Sequence, residues 1–441
     1  MNKTSSSTTA AEGGAVRDYL GEMGPSWVAG AIAAGPATMA SLVTAGARFN
    51  YALLWVVILS AVAGALAQYL AMRLGLLTEH GIVGVVEEYI GKWWAWILVV
   101  DVVIAAGVAQ LVIMNTVASV SSTITGIDAR VWGGIWALLL AVGLAGRGYH
   151  FIELAAKILV TAVVLAFVAS LSVVPIDPGS AVLGLVPSLP SGSAVVAAGI
   201  LGGAVHITLI TMHSYTMHAR GWTDREYSLA TFDIVASMVV AFGVYSVAIF
   251  LVTASVLTNP NLTTVSAAQA LGPLVGSSAR WLFLLGLGGA AISTLGGNTI
   301  VPPFLVADKL GWGTTVEDSR YRALLAAFAL LSAPGAFIGG EVIGQLVLVL
   351  ALGTVGTPFA IAVVLYLLNS RAVPKSNSTL ANCGGLTLLL VSGVLAANFI
   401  RERIADGVDT LSGVVLVFAI VIGIATIVLL GKYVREEAVV T

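Results

Sequence analysis

Few residues in this chain are equipped for chemistry, and those that are stand where no soluble enzyme would keep them. Asp101 lies in Ile97-Leu-Val-Val-Asp-Val-Val-Ile, inside an apolar run. A carboxylate there costs about 2.5–3.5 kcal/mol on insertion scales, and ionisable groups in such runs usually face a pathway. His206, His213 and His218 fall in another apolar run with Thr208, Thr211, Ser214, Tyr215 and Thr216. Burying so many polar groups unpaired is costly, so they imply a wet interior. The titration range of imidazole suits proton relay. Spacing does not make these histidines a metal cage: His213 and His218 are five apart, about 140° around a helix, and no carboxylate is near.

Other groups repeat the pattern. The segment Ala33 to Ser41 has Gly35-Pro36 at its centre, which an unbroken helix tolerates badly. Irregular backbone at membrane depth survives only where it lines a cavity. Two broken helices, here and at Thr208 to His218, are the sequence pointer to the midplane site of a secondary transporter. Ser293, Thr294, Gly296, Gly297 and Asn298, followed by Pro302-Pro303, predict a further polar, breakable centre, and Gly353-Thr-Val-Gly-Thr-Pro358 another. Arg147, Glu153 and Lys157 are spaced for a charge-paired gate or, equally, for a snorkelling cluster at the membrane surface.

The elements that must position these groups follow from composition. The 441 residues are 58% hydrophobic and 10% charged, with a mean hydropathy of +1.00, against roughly 25% charged residues in soluble domains. Runs of about twenty apolar residues occur near 26–47, 52–72, 93–120, 131–146, 150–173, 195–218, 229–257, 280–306, 322–338, 342–369, 380–399 and 411–431. The expected fold is an all-α polytopic membrane protein. Fifteen Lys and Arg fall on one side of this topology and five on the other, so both termini are expected in the cytoplasm of a plasma-membrane protein. Residues 1–20 read as a disordered tail. The single Cys383 allows no internal disulfide and no thiolate cluster. A basic stripe for nucleic acid, a phosphate-cradling Gly-x-x-x-x-Gly-Lys loop and a nucleotide-hydrolysing domain are absent. No catalytic residue, cofactor or resident metal is expected, and the partners expected of the chain, read as a monomer, are membrane lipid, protons and a small-molecule or ion substrate.

At the level of motifs the chain resembles the natural resistance-associated macrophage protein family of proton-coupled divalent metal transporters. Gly24-Pro25-Ser-Trp and Thr44-Ala45-Gly46-Ala47 stand where that family has Gly-Pro-Gly-Phe and Gln-Ala-Gly-Ala, at equal spacing. Asp101 with Gly107, Arg147-Gly148 with Glu153, His213 with His218, and Pro358-Phe359-Ala360 resemble further family motifs. The resemblance implies a leucine-transporter-type fold: inverted repeats at 21–175 and 194–370, with two peripheral spans at 378–432. It also implies a proton pathway through Asp101, Arg147, Glu153 and His218.

Departures from the family cluster at its metal site. Its Asp-Pro-Gly-Asn is Gly35-Pro36-Ala37-Thr38, its methionine and following proline are Thr211 and Met212, its tenth-span glutamine is Gly356, and its third-span glutamate is Ile104. The carboxylate, amide and thioether are gone, which argues against transition-metal transport by the family's means. The substrate site implied by the resemblance is Gly35, Ala37, Thr38, Thr211, Met212, His213, Ser214, Asn298 and Gly356. The reading is a secondary transporter, proton-coupled, moving a small organic solute, anionic solutes included, rather than a transition metal. The alternatives are a Mg²⁺-like divalent ion as cargo, or a non-transporting receptor or channel on the same fold.

Overall fold

The computed structural model describes Ser26, Gly30 and residues 33–146, 150–257, 262–375, 377–405 and 410–440. No strand occurs among them. The first helix, α1 (Pro36–Phe49), is buried on every side from Pro36 to Ala47, as expected of a helix whose first twelve residues carry no charge, at the centre of a bundle. It starts where the sequence predicts. Gly35 is the extended N-cap, at φ −68° and ψ 178°, and Pro36 occupies the first turn, where its missing N–H is one of the helix's orphan donors anyway.

A 3₁₀ turn leads into α2 (Leu54–Thr78), followed by the short α3 (Ile82–Tyr89), the long α4 (Lys92–Thr125), α5 (Ala129–Gly146) and α6 (His150–Ser170). The second half opens with α7 (Ala194–Ala204) and α8 (Ile207–Ala219), two pieces of one span. Next come α9 (Tyr227–Ile234), a π-helical segment Val235–Phe242 and α10 (Gly243–Val256). The remainder is α11 (Ala279–Lys309), α12 (Ser319–Leu330), α13 (Val342–Gly353), α14 (Thr357–Leu368), α15 (Thr379–Ala405) and α16 (Thr410–Val440).

Among the described residues nine helical stretches are long and apolar enough to cross a membrane. One of them, Pro36–Thr78, holds both α1 and α2, and the described part of α6, Lys157–Ser170, is a shorter apolar helix; with α12 these account for the twelve runs in the sequence. Helix α1 packs against α7, α10 and α13, α8 against α2, and α11 against α4 and α6. Helices α15 and α16 lie outside, against α14, with Ile420, Val421, Ile424 and Ile427 of α16 exposed.

One expectation is corrected here. Helix α11 stays helical through Pro302 and Pro303. Its polar centre is held by α4: Asn298 Nδ2 donates to Ala106 O (2.8 Å) and Gln110 Oε1 (3.0 Å), and Gln110 Nε2 donates to Thr299 Oγ1. These bonds keep the region polar without a break in the backbone.

Candidate functional site

The breaks meet around a cavity of about 50 Å³. Its polar lining is Thr38 from the start of α1, His206 and Thr208 from the α7–α8 junction, and Thr294 and Asn298 from α11. No carboxylate lines it, and among the described residues no cluster of three or more His, Cys, Asp or Glu is placed to hold a metal ion.

Each lining group has a local reason for its place. Thr38 Oγ1 donates to Ala33 O (2.5 Å), closing the irregular stretch before Pro36. The α7–α8 junction contains no proline or glycine. It is made by Val205 and His206, both outside the helical region of backbone space, with His206 Nδ1 accepting from Thr208 N (3.3 Å) and lying 2.7 Å from Thr208 Oγ1. An imidazole thus serves as the N-cap of α8. Thr357 Oγ1 of α14 donates to Val205 O (2.9 Å), tying this break to the turn between α13 and α14. The amide nitrogen of Asn298 is committed to α4, so its oxygen is the atom it can offer the cavity.

Asp101 is buried, and neither carboxylate oxygen has a hydrogen-bond partner among the described residues. It stands against Gly356. A Cβ at Gly356 would overlap the carboxylate, with 2.7 Å to Oδ2 and 2.8 Å to Cγ. The glycine is therefore required by close approach, since its φ of −79° suits any residue.

The other sequence-predicted residues disperse. Gly35 caps α1 and Ala37 lines the cavity. The Thr211 hydroxyl bonds back to Ile207 O and Thr208 O inside α8, and Met212 packs on the apolar core. His213 is buried with Nε2 unpartnered. Ser214 is turned to α3, where its Oγ accepts from Ile82 N (3.1 Å). His218 is exposed and stacks on His80 at 6.4 Å between ring centroids. Ile104, at the position of the family's glutamate, is exposed. Arg147 and the Glu153 side chain lie outside the described residues, as do Gly24, Pro25 and Trp27.

Sequence reasoning missed two features. Asp233, buried in α9, accepts from Ser26 N (2.7 Å); a lone aspartate in the seventh span was the available signal. The other is a latch on the basic face, the one carrying Arg73, α3 and Arg220. Tyr215 Oη donates to Asp308 Oδ2 (2.6 Å) and accepts from Val83 N (3.3 Å), while the ring meets Phe304 edge-on at 4.9 Å. The next residue, Lys309, pairs with Glu87 Oε2 of α3 at 2.6 Å and lies over the Trp96 ring at 5.0 Å. Helix α11 thereby holds α8 with one residue and α3 with the next. On the opposite face a vestibule of about 450 Å³ opens among α1, α7 and α13, bordered by Thr44, Arg48, Ser191, Val195, Val347 and Glu402.

Comparison with known proteins accords with this architecture. The chain is 26% identical over 371 residues to the divalent metal cation transporter MntH of Mycobacterium tuberculosis (80% of this chain, 84% of that one). It is 29% identical over 307 residues to the Yersinia pestis protein of the same name (65% and 73%). In three dimensions it is similar to a mutant of the Eremococcus coleocola manganese transporter, with a TM-score of 0.71 at 16% identity, covering 100% of this chain and 98% of that one. It is also similar to Mhp1, a nucleobase-cation-symport-1 family transporter, with a TM-score of 0.56 at 15% identity over 94% and 93% of the two chains. The profile described as natural resistance-associated macrophage protein-like matches residues 26–402. A membrane-spanning fold of the leucine-transporter type, breaks meeting at a central cavity and a family match over most of its length make this chain a secondary transporter, not an enzyme, and a member of the natural resistance-associated macrophage protein family.

Proposed function

We propose that the chain is a proton-driven secondary transporter of the plasma membrane, its basic face and both termini in the cytoplasm, that carries a small polar solute through the Thr38–His206–Asn298 cavity. The observation that carries this reading is the pairing of a cavity lined by hydroxyl, amide and imidazole groups with an unpartnered buried carboxyl group, Asp101, on a neighbouring helix. Neutral hydroxyl and amide groups recognise a solute by hydrogen bonds. They do not neutralise a dehydrated divalent ion, which calls for carboxylates. An intramembrane carboxyl group without a partner is the group expected to take up and release the coupling proton. His213, buried with Nε2 without a partner among the described residues, and the exposed His218 lie along α8 and are the further groups that could carry the proton.

A second reading has specific support: the relatives bear the name divalent metal cation transporter. On it the cargo is a divalent ion that keeps much of its water shell, as Mg²⁺ does, with the Thr38 and Asn298 oxygens holding the waters.

Purified protein in liposomes separates the two. A thermal-shift screen of amino acids, organic acids, amines and divalent metals identifies the cargo, and uptake is then followed under an imposed pH gradient. Saturable Mn²⁺ or Cd²⁺ uptake at micromolar concentration, or Mg²⁺ uptake at higher concentration, overturns the first reading in favour of the second. Asp101→Asn is expected to leave binding in place while uptake loses its dependence on the gradient; gradient-driven uptake that survives the substitution removes Asp101 from coupling.

A further inference from the structure

The central cavity and the vestibule are lined by the same three helices at two depths. Thr44, Val196 and Val347 border the vestibule; Thr38, Gly202 and Val349 border the cavity. Six residues separate the levels on α1 and on α7, about 9 Å of helix. Between them lies a single layer in which α7 presents Gly199 to Ser41 of α1 and to the Val347 backbone of α13. A Cβ built on Gly199 would come within 2.8 Å of Ser41 Oγ and 3.2 Å of Val347 O. Ser41 is fully buried, and its hydroxyl donates to Ala37 O (2.9 Å), a bond it would have to give up to turn away from a Cβ at 199. The three helices therefore touch at the width of bare backbone on the line between the two spaces.

We propose that Gly199 is the outer gate of this pathway and sets the cross-section of what passes: Ser41 and Val347 close on it directly, and any side chain there holds the gate ajar. The proposal rests on the central cavity being a transport site, but its test measures access, not uptake. In a Cys383→Ala background, a Thr38→Cys variant in cells or oriented liposomes is labelled from outside with a small, charged, membrane-impermeant thiol reagent. Gly199→Ala is expected to raise the labelling rate roughly tenfold, because one overpacked methyl acts only against the closed form. Adding Ser41→Ala, which removes the 2.8 Å obstacle, should return most of that increase. Gly107→Ala on α4, where the added methyl meets nothing within 4 Å, should leave the rate unchanged.

Labelling of Gly199→Ala at or below the parent rate overturns the proposal, as does an increase that Ser41→Ala fails to reverse. Should Gly199→Ala not fold, the parent carries the test alone: labelling must fall steeply as reagents of equal charge grow in cross-section, and equal rates overturn the gate. A protein that shows this pattern yet moves no solute in liposomes would refute transport while leaving the constriction standing.

Discussion

The two ends of the pathway close in different ways. On the basic face α3, α8 and α11 are joined by directed polar bonds: Tyr215 to Asp308, Val83 to Tyr215, Ile82 to Ser214 and Lys309 to Glu87. On the opposite face α1, α7 and α13 meet at Gly199 by close packing, below an open vestibule. Hydrogen bonds and ion pairs among partly desolvated groups must be exchanged for water or new partners when they part, which makes their opening conditional. Small groups in van der Waals contact part and meet again with little consequence. On this contrast the latched face is the harder of the two to open, and the trigger for its opening has to be sought at the latch.

The sharpest way to break this contrast is at Lys309, whose side chain is 3% exposed against 40% for Glu87. Glu87→Ala leaves a nearly buried ammonium with the Trp96 ring as its remaining described contact. Because Glu87 is partly hydrated, the loss is expected to be about 1–3 kcal/mol, below the 3–5 of a fully buried pair. It should register as a lower melting temperature in detergent and as faster labelling of a Thr208→Cys variant from the basic face. Unchanged melting would mean that the pair contributes nothing to closure.

Tyr215→Phe is the finer cut. The ring keeps its contact with Phe304 and its close approach to Gly81, while the bonds to Asp308 and Val83 disappear, for an expected loss of about 1–2 kcal/mol with the same rise in labelling from the basic face. If access from that face stays at the parent level while stability falls, the hydroxyl supports the fold and not the gate.

The smallest effect is expected at Asp318, the centre of an exposed polar cluster that lies outside the latch. Its carboxylate caps α12, accepting from the Arg320 side chain (2.8 Å) and from the backbone of Arg320 and Gly313. The Arg320 hydrogen bond, helped by those two N–H groups, holds it well below the usual carboxylate range. A lowered value stabilises the folded protein above that range, and the contribution fades as pH falls through and below it. Asp318→Asn should therefore lower the melting temperature slightly at neutral pH, with no change in labelling at either face, and the difference should shrink on acidification. A gap that widens in acid would contradict the assignment.

How much of this was legible in the sequence depends on how local its cause is. Gly35-Pro36 announces its own break, because both residues act on the backbone they belong to. The polar run Thr208 to His218 announces a break but misplaces it: the run itself is helical, inside α8, and the break falls just before it at Val205 and His206, where the His206 side chain turns back on Thr208. Pro302-Pro303 announces a break that does not form, because α4 holds that stretch of α11 through Gln110 and Asn298. The latch lies beyond any local reading: Tyr215 and Asp308 are 93 residues apart, and nothing near either names the other. Of the residues that the resemblance assigns to the site, Ala37, Thr38 and Asn298 line the cavity, whereas Ser214 is drawn off by a backbone donor of α3 that only folding brings to it.

The contact between Asp101 and Gly356 constrains how this chain can change. The carboxyl group occupies the room that a side chain at 356 would fill, so the two positions are not independent letters. A glutamine at 356, the family's residue, has no way in until Asp101 has moved, and Asp101 has no reason to move while the turn after α13 offers it bare backbone. Restoring the family's glutamine at 356 is therefore a change at two positions: the new side chain enters only as the α4 carboxyl group takes another seat.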